Sequence, residues 1–234
     1  KNHKLTLEIT SNPAWYAVQA LPYLMEYPYA CSEQIFSKYY ANILAGHIAN
    51  SNARIQEVFQ QWRNSEAMLS NLEKNEELKS IIIQESPWVR EAQSEAEQKK
   101  RIAILFDLNT LQNEQQVTLE KLKQMQLQNG AFPWFKGGIY PNIYITQHIA
   151  SGFGHLKHLG IQQVDGNIQS IVKKAVGFMD NEILDIHQKL LQNAKRIKEK
   201  DGEKKAEEYL NNKHISNFTL QYLYMRSFHM DIPI

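Results

Sequence analysis

Residues 31–49 read CSEQIFSKYYANILAGHIA and show the pattern that runs through most of the chain. Apolar side chains recur there at the spacing of one face of an α-helix, at Ile35, Tyr39, Ile43 or Leu44, and Ile48. The pattern predicts a helix over 31–49 with one face in a core. The segment also holds the only cysteine of the chain, three residues before a glutamine, where the helix is predicted to begin.

The same periodicity predicts helices along the rest of the chain. They are expected at 13–25 (broken or kinked at Pro22), 54–62, 66–72, 89–106, 113–127, 142–159, 167–180, 181–198 and 216–228. Glycine and proline are scarce, the links are short and polar, and heptads are not sustained, which favours antiparallel helical hairpins over a coiled coil. The charged stretch 195–205 is predicted to be a solvated helix end and turn. A short alternating run at 5–9 predicts a strand.

Composition excludes several classes of function. The chain has 234 residues, 26 Lys plus Arg against 25 Asp plus Glu, and a formal net charge of +1. A near-neutral balance gives no electrostatic footprint for nucleic acid and no basic face for an anionic membrane. A mean hydropathy of -0.50 and the lack of a long apolar run argue against a membrane-spanning protein. With one cysteine there is no internal disulfide, and the start has no apolar signal-peptide region and no initiator Met, so we expect a segment of a longer protein.

The turn before the first of these helices suggests a specific chemistry. A thiol at Cys31 and a carboxamide at Gln34, three residues apart at a helix start, are close enough to join as an internal thioester. A helix N-terminus stabilises negative charge and therefore a leaving thiolate. An outside amine or hydroxyl would then attack the glutamyl carbonyl. On composition alone, the competing interpretation of Cys31 is a small buried hydrophobic residue.

Two further features are candidates for a site. Residues 126–138, QLQNGAFPWFKGG, form a glycine-flanked turn with three aromatics. They are interpreted either as a buried plug between hairpins, or as a hydrophobic lid or stacking platform for a sugar or terpene. The histidines His148, His155 and His158 lack a carboxylate at ligating spacing, so no metal site is predicted and surface or packed histidines are favoured.

Taken together, these segments resemble a known family. CSEQ at 31–34 matches the Cys-x-Glu-Gln thioester motif of the alpha-2-macroglobulin and complement superfamily. The flanking segments resemble the bacterial branch: NPAWYAVQALPYL at 12–24, YPY at 27–29, SPW at 86–88, EAE at 95–97, LFDLN at 105–109, FPWFKGG at 132–138 and YITQH at 144–148. The resemblance covers essentially the whole chain after residue 11.

The resemblance implies an all-α thioester-containing domain over 12–234, an α/α toroid of antiparallel helical hairpins. Residues 1–11 are then the tail of a preceding β-domain or a linker. Because six hairpins need more residues than this, we expect a partial or truncated toroid. In the family, cleavage of a bait region exposes the thioester, and an amine of the attacking protease is acylated and trapped. This implies a single-turnover endopeptidase inhibitor, not an enzyme, with target proteases and the parent protein's other domains as partners, and no nucleic acid, membrane contact or cofactor.

The family motif assigns roles to residues of this chain. Cys31 matches the thiol partner and Gln34 the acyl donor, and Glu33 matches the motif's acid, with a structural or electrostatic role. Tyr27, Tyr29, Trp134 and Phe135 are expected to support the site by shielding the thioester from water. Some relatives place a histidine ahead of the glycine pair at 137–138; its absence here predicts direct aminolysis, with amines preferred over hydroxyls. His148 is close in sequence but not at that position, and is a weak candidate.

The resemblance also implies a periplasmic or cell-envelope location, with the parent a lipoprotein that protects against host or competitor proteases. Two other interpretations remain. One is a toroidal enzyme such as a glycosidase or terpene cyclase, against which the sequence offers no paired acids at a protonating site. The other is a helical interaction module whose thioester is vestigial.

Overall fold

A computed structural model describes residues 31–51, 108–161 and 166–234, together with Leu24, Ala53 and Glu57. These residues are mostly helical. The helices are α1 (Ser32–Ser51), α2 (Leu108–Met125), α3 (Ile143–His158), α4 (Gly166–Asp201), α5 (Glu203–Asn211) and α6 (Asn217–Ser227). Extended pairing within the described ranges is limited to two isolated bridges, Cys31 with Phe135 and Phe132 with Asn142. The described part of the chain is therefore all-α, as predicted.

Several sequence predictions of helices are confirmed. α1 and α3 lie within two residues of the predicted ranges, and α6 begins and ends one residue inside its prediction. α2 begins five residues earlier than expected. The helices predicted at 13–25, 54–62, 66–72 and 89–106, and the strand at 5–9, lie outside the described residues.

The prediction of two helices at 167–180 and 181–198 is wrong. α4 is one continuous helix of 36 residues. Neither Asp180 nor Asn181 breaks it, because helix interiors tolerate such polar residues, and no glycine or proline follows them to end the helix. The charged stretch 195–205 is the end of α4, a turn at Gly202 and the start of α5. The helix α5 itself was not predicted, because its strongly charged sequence resembles a solvated turn.

The chain divides into two compact units. The first comprises Lys1–Pro28 and Ser37–Thr118, and the second Tyr29–Phe36 and Leu119–Ile234. In the first unit, Lys38 Nζ forms an ion pair with the Glu114 carboxylate at 2.6 Å. Gln115 Nε2 donates a hydrogen bond to the main-chain carbonyl of Asn42 at 3.1 Å, which joins the described parts of α1 and α2 within that unit.

The core of the second unit lies among α3, α4 and α6, with α5 packed against α4. The apolar residues of α3 and α4 recur three or four positions apart, so each helix buries one stripe. The buried members include Ile145, Ile149, Phe153 and Leu156 from α3, Ile171, Val172, Ala175, Val176 and Met179 from α4, and Tyr222 and Met225 from α6. Removal of these side chains from water is the main term that holds the unit together.

A buried polar network joins α6 to α4. Asp180 Oδ1 accepts hydrogen bonds from Tyr222 Oη at 2.7 Å and from Arg226 Nε at 3.1 Å. Burial, followed by the hydrogen bond to Asp180, raises the pKa of Tyr222 to about 12. Arg226 also donates to the main-chain carbonyls of His229 and Ile232, so the C-terminal residues are fixed to α6. Asp180 and Arg226 form an ion pair, and this compensation of charge together with the hydrogen bonds is what allows an arginine to be buried.

Within the described ranges, none of the helices combines the length and the hydropathy that a membrane span requires.

Candidate functional site

The site begins at the first turn of α1. The Cys31 carbonyl accepts the first intrahelical hydrogen bond, from the Ile35 amide at 3.0 Å, so Cys31 is the N-cap residue and Gln34 is at position N3. The Cys31 side chain is buried. Glu33 lies in the same turn, where the helix dipole favours an acidic residue.

Gln34 folds back over this turn. Its Oε1 accepts a hydrogen bond from the Cys31 main-chain N–H at 3.3 Å. This is the N3-to-N-cap half of a capping box, in which a Gln or Glu three residues into a helix satisfies the amide of the cap residue. The contact brings the Gln34 carboxamide next to the residue that carries the thiol.

The loop 131–142 covers the start of α1. The Ser32 amide donates to the Trp134 carbonyl at 3.0 Å, and the Ser32 hydroxyl donates to the Pro133 carbonyl at 2.6 Å. Together with the bridge between Cys31 and Phe135, these bonds satisfy main-chain groups that a helix end would leave unpaired. Ser32 is fully buried and had not been predicted as a site residue. Its neighbour Cys31 is thus held against the backbone of Trp134 and Phe135.

The base of the loop is fixed to α4 and α3. Gln126 Nε2 donates to the carbonyls of Gly130 and Ile171, each at 2.9 Å. Gly130 has a φ of 91°, and a Cβ at this position would lie 2.2 Å from the Lys174 carbonyl oxygen, so only glycine fits. At the other end, the Phe132 amide donates to Thr146 Oγ1 at 2.8 Å. The loop therefore has a defined conformation on both sides of its aromatic residues.

The aromatic residues of the loop divide into one buried and two exposed rings. Phe132 is completely buried, as a plug between elements would be, whereas Trp134 is 43% exposed and Phe135 is 66% exposed. The expected lid of Trp134 and Phe135 thus contacts Cys31 through the main chain. Whether these rings shield a thioester stays a prediction.

Four aromatic rings from the loop, α3 and α1 contact one another in series. Trp134 lies nearly parallel to Tyr144, with ring centroids 6.3 Å apart and an angle of 19°. Tyr144 is followed one helical turn later by His148, again at 6.3 Å and at 14°. The His148 ring then meets the edge of Phe36, at 5.7 Å and 85°. This series, which we call the ring ladder, consists of Trp134, Tyr144, His148 and Phe36.

Phe36 follows Gln34 by two residues in α1, and the Trp134 carbonyl is bonded to the Ser32 amide, so both ends of the ring ladder are held beside the start of α1. The Phe36 ring packs against Phe153 at 5.1 Å, and a Cβ at Gly152 would lie 2.3 Å from it. The glycine thus allows Phe36 to pack against α3. The ring ladder was not predicted as a unit, although Tyr144 and His148 are four residues apart on a predicted helix, which is the signal that would have revealed their stacking.

His148 sits in a partly buried position with a defined electrostatic environment. Burial lowers its pKa, the Glu33 carboxylate raises it, and His155 lowers it. The net direction is downward, so the imidazole is neutral at neutral pH. The contact with Phe36 of α1 places His148, which had been only a weak candidate, beside the start of that helix.

The structure thus brings together Cys31, Glu33, Gln34, Trp134, Phe135 and His148 at the first turn of α1. Tyr27 and Tyr29 lie outside the described residues. His155 and His158 do not join this group: His155 Nε2 is 3.0 Å from Tyr224 Oη, and both imidazoles contact the Phe228 ring. Within the described residues, three or more His, Cys, Asp or Glu side chains nowhere gather into a group that could hold a metal ion.

Comparisons of the chain with protein-family models, with curated proteins and with solved structures returned no match.

Proposed function

We propose that this chain is a thioester domain of a bacterial alpha-2-macroglobulin-like protease inhibitor. The observation that carries the proposal is the hydrogen bond between Gln34 Oε1 and the Cys31 amide, at 3.3 Å, in a turn where Cys31 is buried. It supports the proposal because it holds the Gln34 carboxamide against the main chain of the residue that carries the thiol before any reaction takes place.

The thioester forms when the Cys31 sulfur attacks the Gln34 side-chain carbonyl carbon. A C–S bond forms, the C–N bond of the carboxamide breaks, and ammonia leaves with the thiol proton. The product is an activated acyl group held at the start of α1. Because the Cys31 side chain is buried, water has restricted access to the sulfur side of this bond.

In the trap reaction, the acyl group passes from the Cys31 sulfur to an amine nitrogen. A neutral amine of an attacking protease forms a C–N bond to the Gln34 acyl carbon, the C–S bond breaks, and the amine proton passes to the Cys31 thiolate. The leaving thiolate is stabilised by the N-terminus of α1. Each molecule reacts once, so the domain is an inhibitor and not an enzyme.

The wider features of the proposal follow from the sequence resemblance. Residues 12–234 form an α/α toroid, and residues 1–11 are the tail of a preceding β-domain. The parent protein is located in the periplasm or cell envelope. Partners are target proteases, which become bound covalently through amines, and the other domains of the parent protein. No cofactor takes part in the chemistry.

A second candidate is a helical interaction module with a vestigial thioester, and a specific observation favours it. The same 3.3 Å contact is half of a capping box, so Gln34 has a structural role that needs no covalent bond. The toroidal-enzyme alternative has no such observation behind it. The ring ladder would suit stacking of a sugar or terpene, but the sequence offers no paired acids at a protonating site, which a glycosidase needs.

The deciding experiment is the intact mass of the native protein, with and without methylamine, followed by mapping of the peptide that contains Cys31 and Gln34. We expect a mass lower than that of the encoded chain by one ammonia. Methylamine should add once, at Gln34, and release one thiol at Cys31. An unmodified mass with a thiol that titrates freely would favour the interaction module, and a glutamate at position 34 would show that the bond formed and was lost to water.

Two variants keep the helix start and remove the chemistry. Cys31→Ser places a preferred N-cap residue at the same position, and Gln34→Glu keeps an acceptor at N3. Both should fold normally, show the full encoded mass and take up no methylamine. Uptake of methylamine by either variant would contradict the assignment of the bond to this pair.

A further inference from the structure

Two neighbouring members of the ring ladder are exposed to solvent. Trp134 is 43% exposed and Tyr144 is 57% exposed. Their planes are nearly parallel, with centroids 6.3 Å apart, so the two rings do not cover each other's faces as a close stack at van der Waals distance would. Two large aromatic side chains that are both exposed and next to each other form an apolar surface patch, and such patches mark binding sites.

The two rings are held in place relative to the candidate thioester. The main-chain carbonyl of Trp134 accepts from the Ser32 amide at 3.0 Å, immediately after Cys31. Tyr144 lies in the first turn of α3, where Asn142 Oδ1 accepts from the Ile145 amide at 3.0 Å. A group that rests on these rings is therefore beside the first turn of α1.

The electrostatic character of this surface suits a cation. The faces of tryptophan and tyrosine carry negative potential and attract ammonium groups, with tryptophan the stronger. His148, the next ring of the stack after Tyr144, is neutral at neutral pH because burial lowers its pKa, and the negative charge of Glu33 opposes that shift. The exposed Lys136, two residues from Trp134, is the one cation of the loop and opposes binding through partly screened repulsion.

We propose that the faces of Trp134 and Tyr144 bind the ammonium group and alkyl stem of a lysine side chain and present it to the acyl group at Gln34. This rests on the proposed function and adds a recognition step to it: lysine is selected by the rings before it reacts. The bound ammonium loses its proton to water, and the neutral amine then attacks as described above. The stem remains packed on the rings because its methylene groups are apolar.

The first test measures binding and does not need an intact thioester. The indole N–H signal of Trp134 is followed by nuclear magnetic resonance during titration with Nα-acetyl-lysine amide, and it is assigned through its loss in Trp134→Leu. We expect a saturable shift, which the Nε-acetylated, uncharged analogue does not cause. The absence of a saturable shift, or an equal shift with both compounds, would overturn the recognition proposal, whether or not the thioester forms.

The second test measures selection in the trap reaction. Release of the Cys31 thiol is followed with Nα-acetyl-lysine amide and with hydroxylamine, which is uncharged at neutral pH. The ratio of the two second-order rate constants should fall about three- to tenfold in Trp134→Leu and in Tyr144→Leu. It should stay unchanged in Tyr140→Leu, which removes an exposed aromatic of the same loop outside the ring ladder.

The outcomes separate three explanations. An unchanged ratio in both ring variants would overturn the proposal. Equal acceleration of hydrolysis and of both nucleophiles would mean that the rings only shield the bond from water, which also overturns it. Failure of the proposed function is distinct, because the wild-type protein would then release no thiol with any nucleophile while the binding titration still decides the recognition step.

Discussion

Gly130 is the residue whose replacement the structure constrains most sharply. Its φ of 91° is a conformation that residues with a Cβ avoid, and an added Cβ would lie 2.2 Å from the Lys174 carbonyl oxygen. We predict that Gly130→Ala lowers the free energy of unfolding by more than about 2 kcal/mol, since the strain of the left-handed conformation adds to a clash with the backbone of α4. Chemical denaturation measures the effect.

Gly177 provides the matched control. It lies inside α4, and a Cβ there would meet no atom within 4 Å. Gly177→Ala should therefore raise the free energy of unfolding, by about 0.5–1 kcal/mol, because alanine loses less backbone entropy in a helix. If both substitutions change stability in the same direction, the described contact between the loop and α4 is incorrect.

At the scale of single residues, the sequence predicts contacts between residues that are near in the chain, and it does not predict contacts between residues that are distant in the chain. The spacing of Cys31 and Gln34 predicts that they lie in one helical turn, and they do. The bond from Ser32 to the Trp134 carbonyl joins residues about a hundred positions apart, and no local pattern encodes it. Propensity and periodicity describe neighbours along the chain, so a contact that depends on how elements pack could be suggested only through the family resemblance.

The caps of α3 and α6 allow a prediction at the scale of elements. Asn142 Oδ1 accepts from the Ile145 amide at 3.0 Å, and Ser216 Oγ accepts from the Thr219 amide at 3.2 Å. We predict that Asn142→Ala and Ser216→Ala each lower the free energy of unfolding by about 1 kcal/mol, because each leaves a helix amide without its acceptor. Asn142→Asp keeps the acceptor and should cost much less.

Hydrogen exchange distinguishes these two caps, although their effects on stability are similar. Asn142→Ala should speed amide exchange in the first turn of α3, at residues 143–147, which includes Tyr144 of the ring ladder. Ser216→Ala should leave that segment unchanged and speed exchange at the start of α6. Faster exchange at 143–147 in both variants would mean that the two helices open as one unit, and it would contradict local capping.

The helices show what periodicity can and cannot establish. α1 and α3 were predicted closely because a cap residue, or a Gly- and Pro-rich loop, marks where each begins. The division of α4 at 180–181 was wrong, because Asp180 lies inside one continuous helix. Asp180 faces Tyr222 and Arg226 of α6 instead, which makes it a buried part of the helix. Its partners, not its own propensity, determine its place.

At the scale of the whole molecule, the titration of histidines makes folding depend on pH. Burial lowers the pKa of His229, and it lowers the pKa of His148 despite the opposing effect of Glu33. His229 Nε2 lies 2.8 Å from the Ala150 carbonyl oxygen and donates to it. Burial, followed by the neighbouring His158, also lowers the pKa of His155. In each case the folded state holds a proton less readily than the unfolded chain.

The sign of the pH dependence follows from this difference in proton binding. Between the lowered pKa values and the ordinary histidine value of 6.5, the unfolded chain binds more protons than the folded one, so acid favours unfolding. We predict that the free energy of unfolding is constant just above pH 7. It should fall as the pH drops below 6.5, by up to about 1.4 kcal/mol per pH unit for each such histidine. Urea denaturation between pH 5 and pH 7.5, a range set by these values, measures the slope.

The dependence of the free energy of unfolding on pH can be assigned to single residues. Asp231, whose pKa is lowered by its hydrogen bond to Lys157, titrates below its ordinary value of 3.8 and so does not act in this window. His229→Gln keeps a donor toward the Ala150 carbonyl and removes the titrating ring, so it should reduce the slope, and His148→Gln should do so independently. A profile that stays flat below pH 6.5 in the wild-type protein, or one that steepens in either variant, would show that these imidazoles are not buried as described.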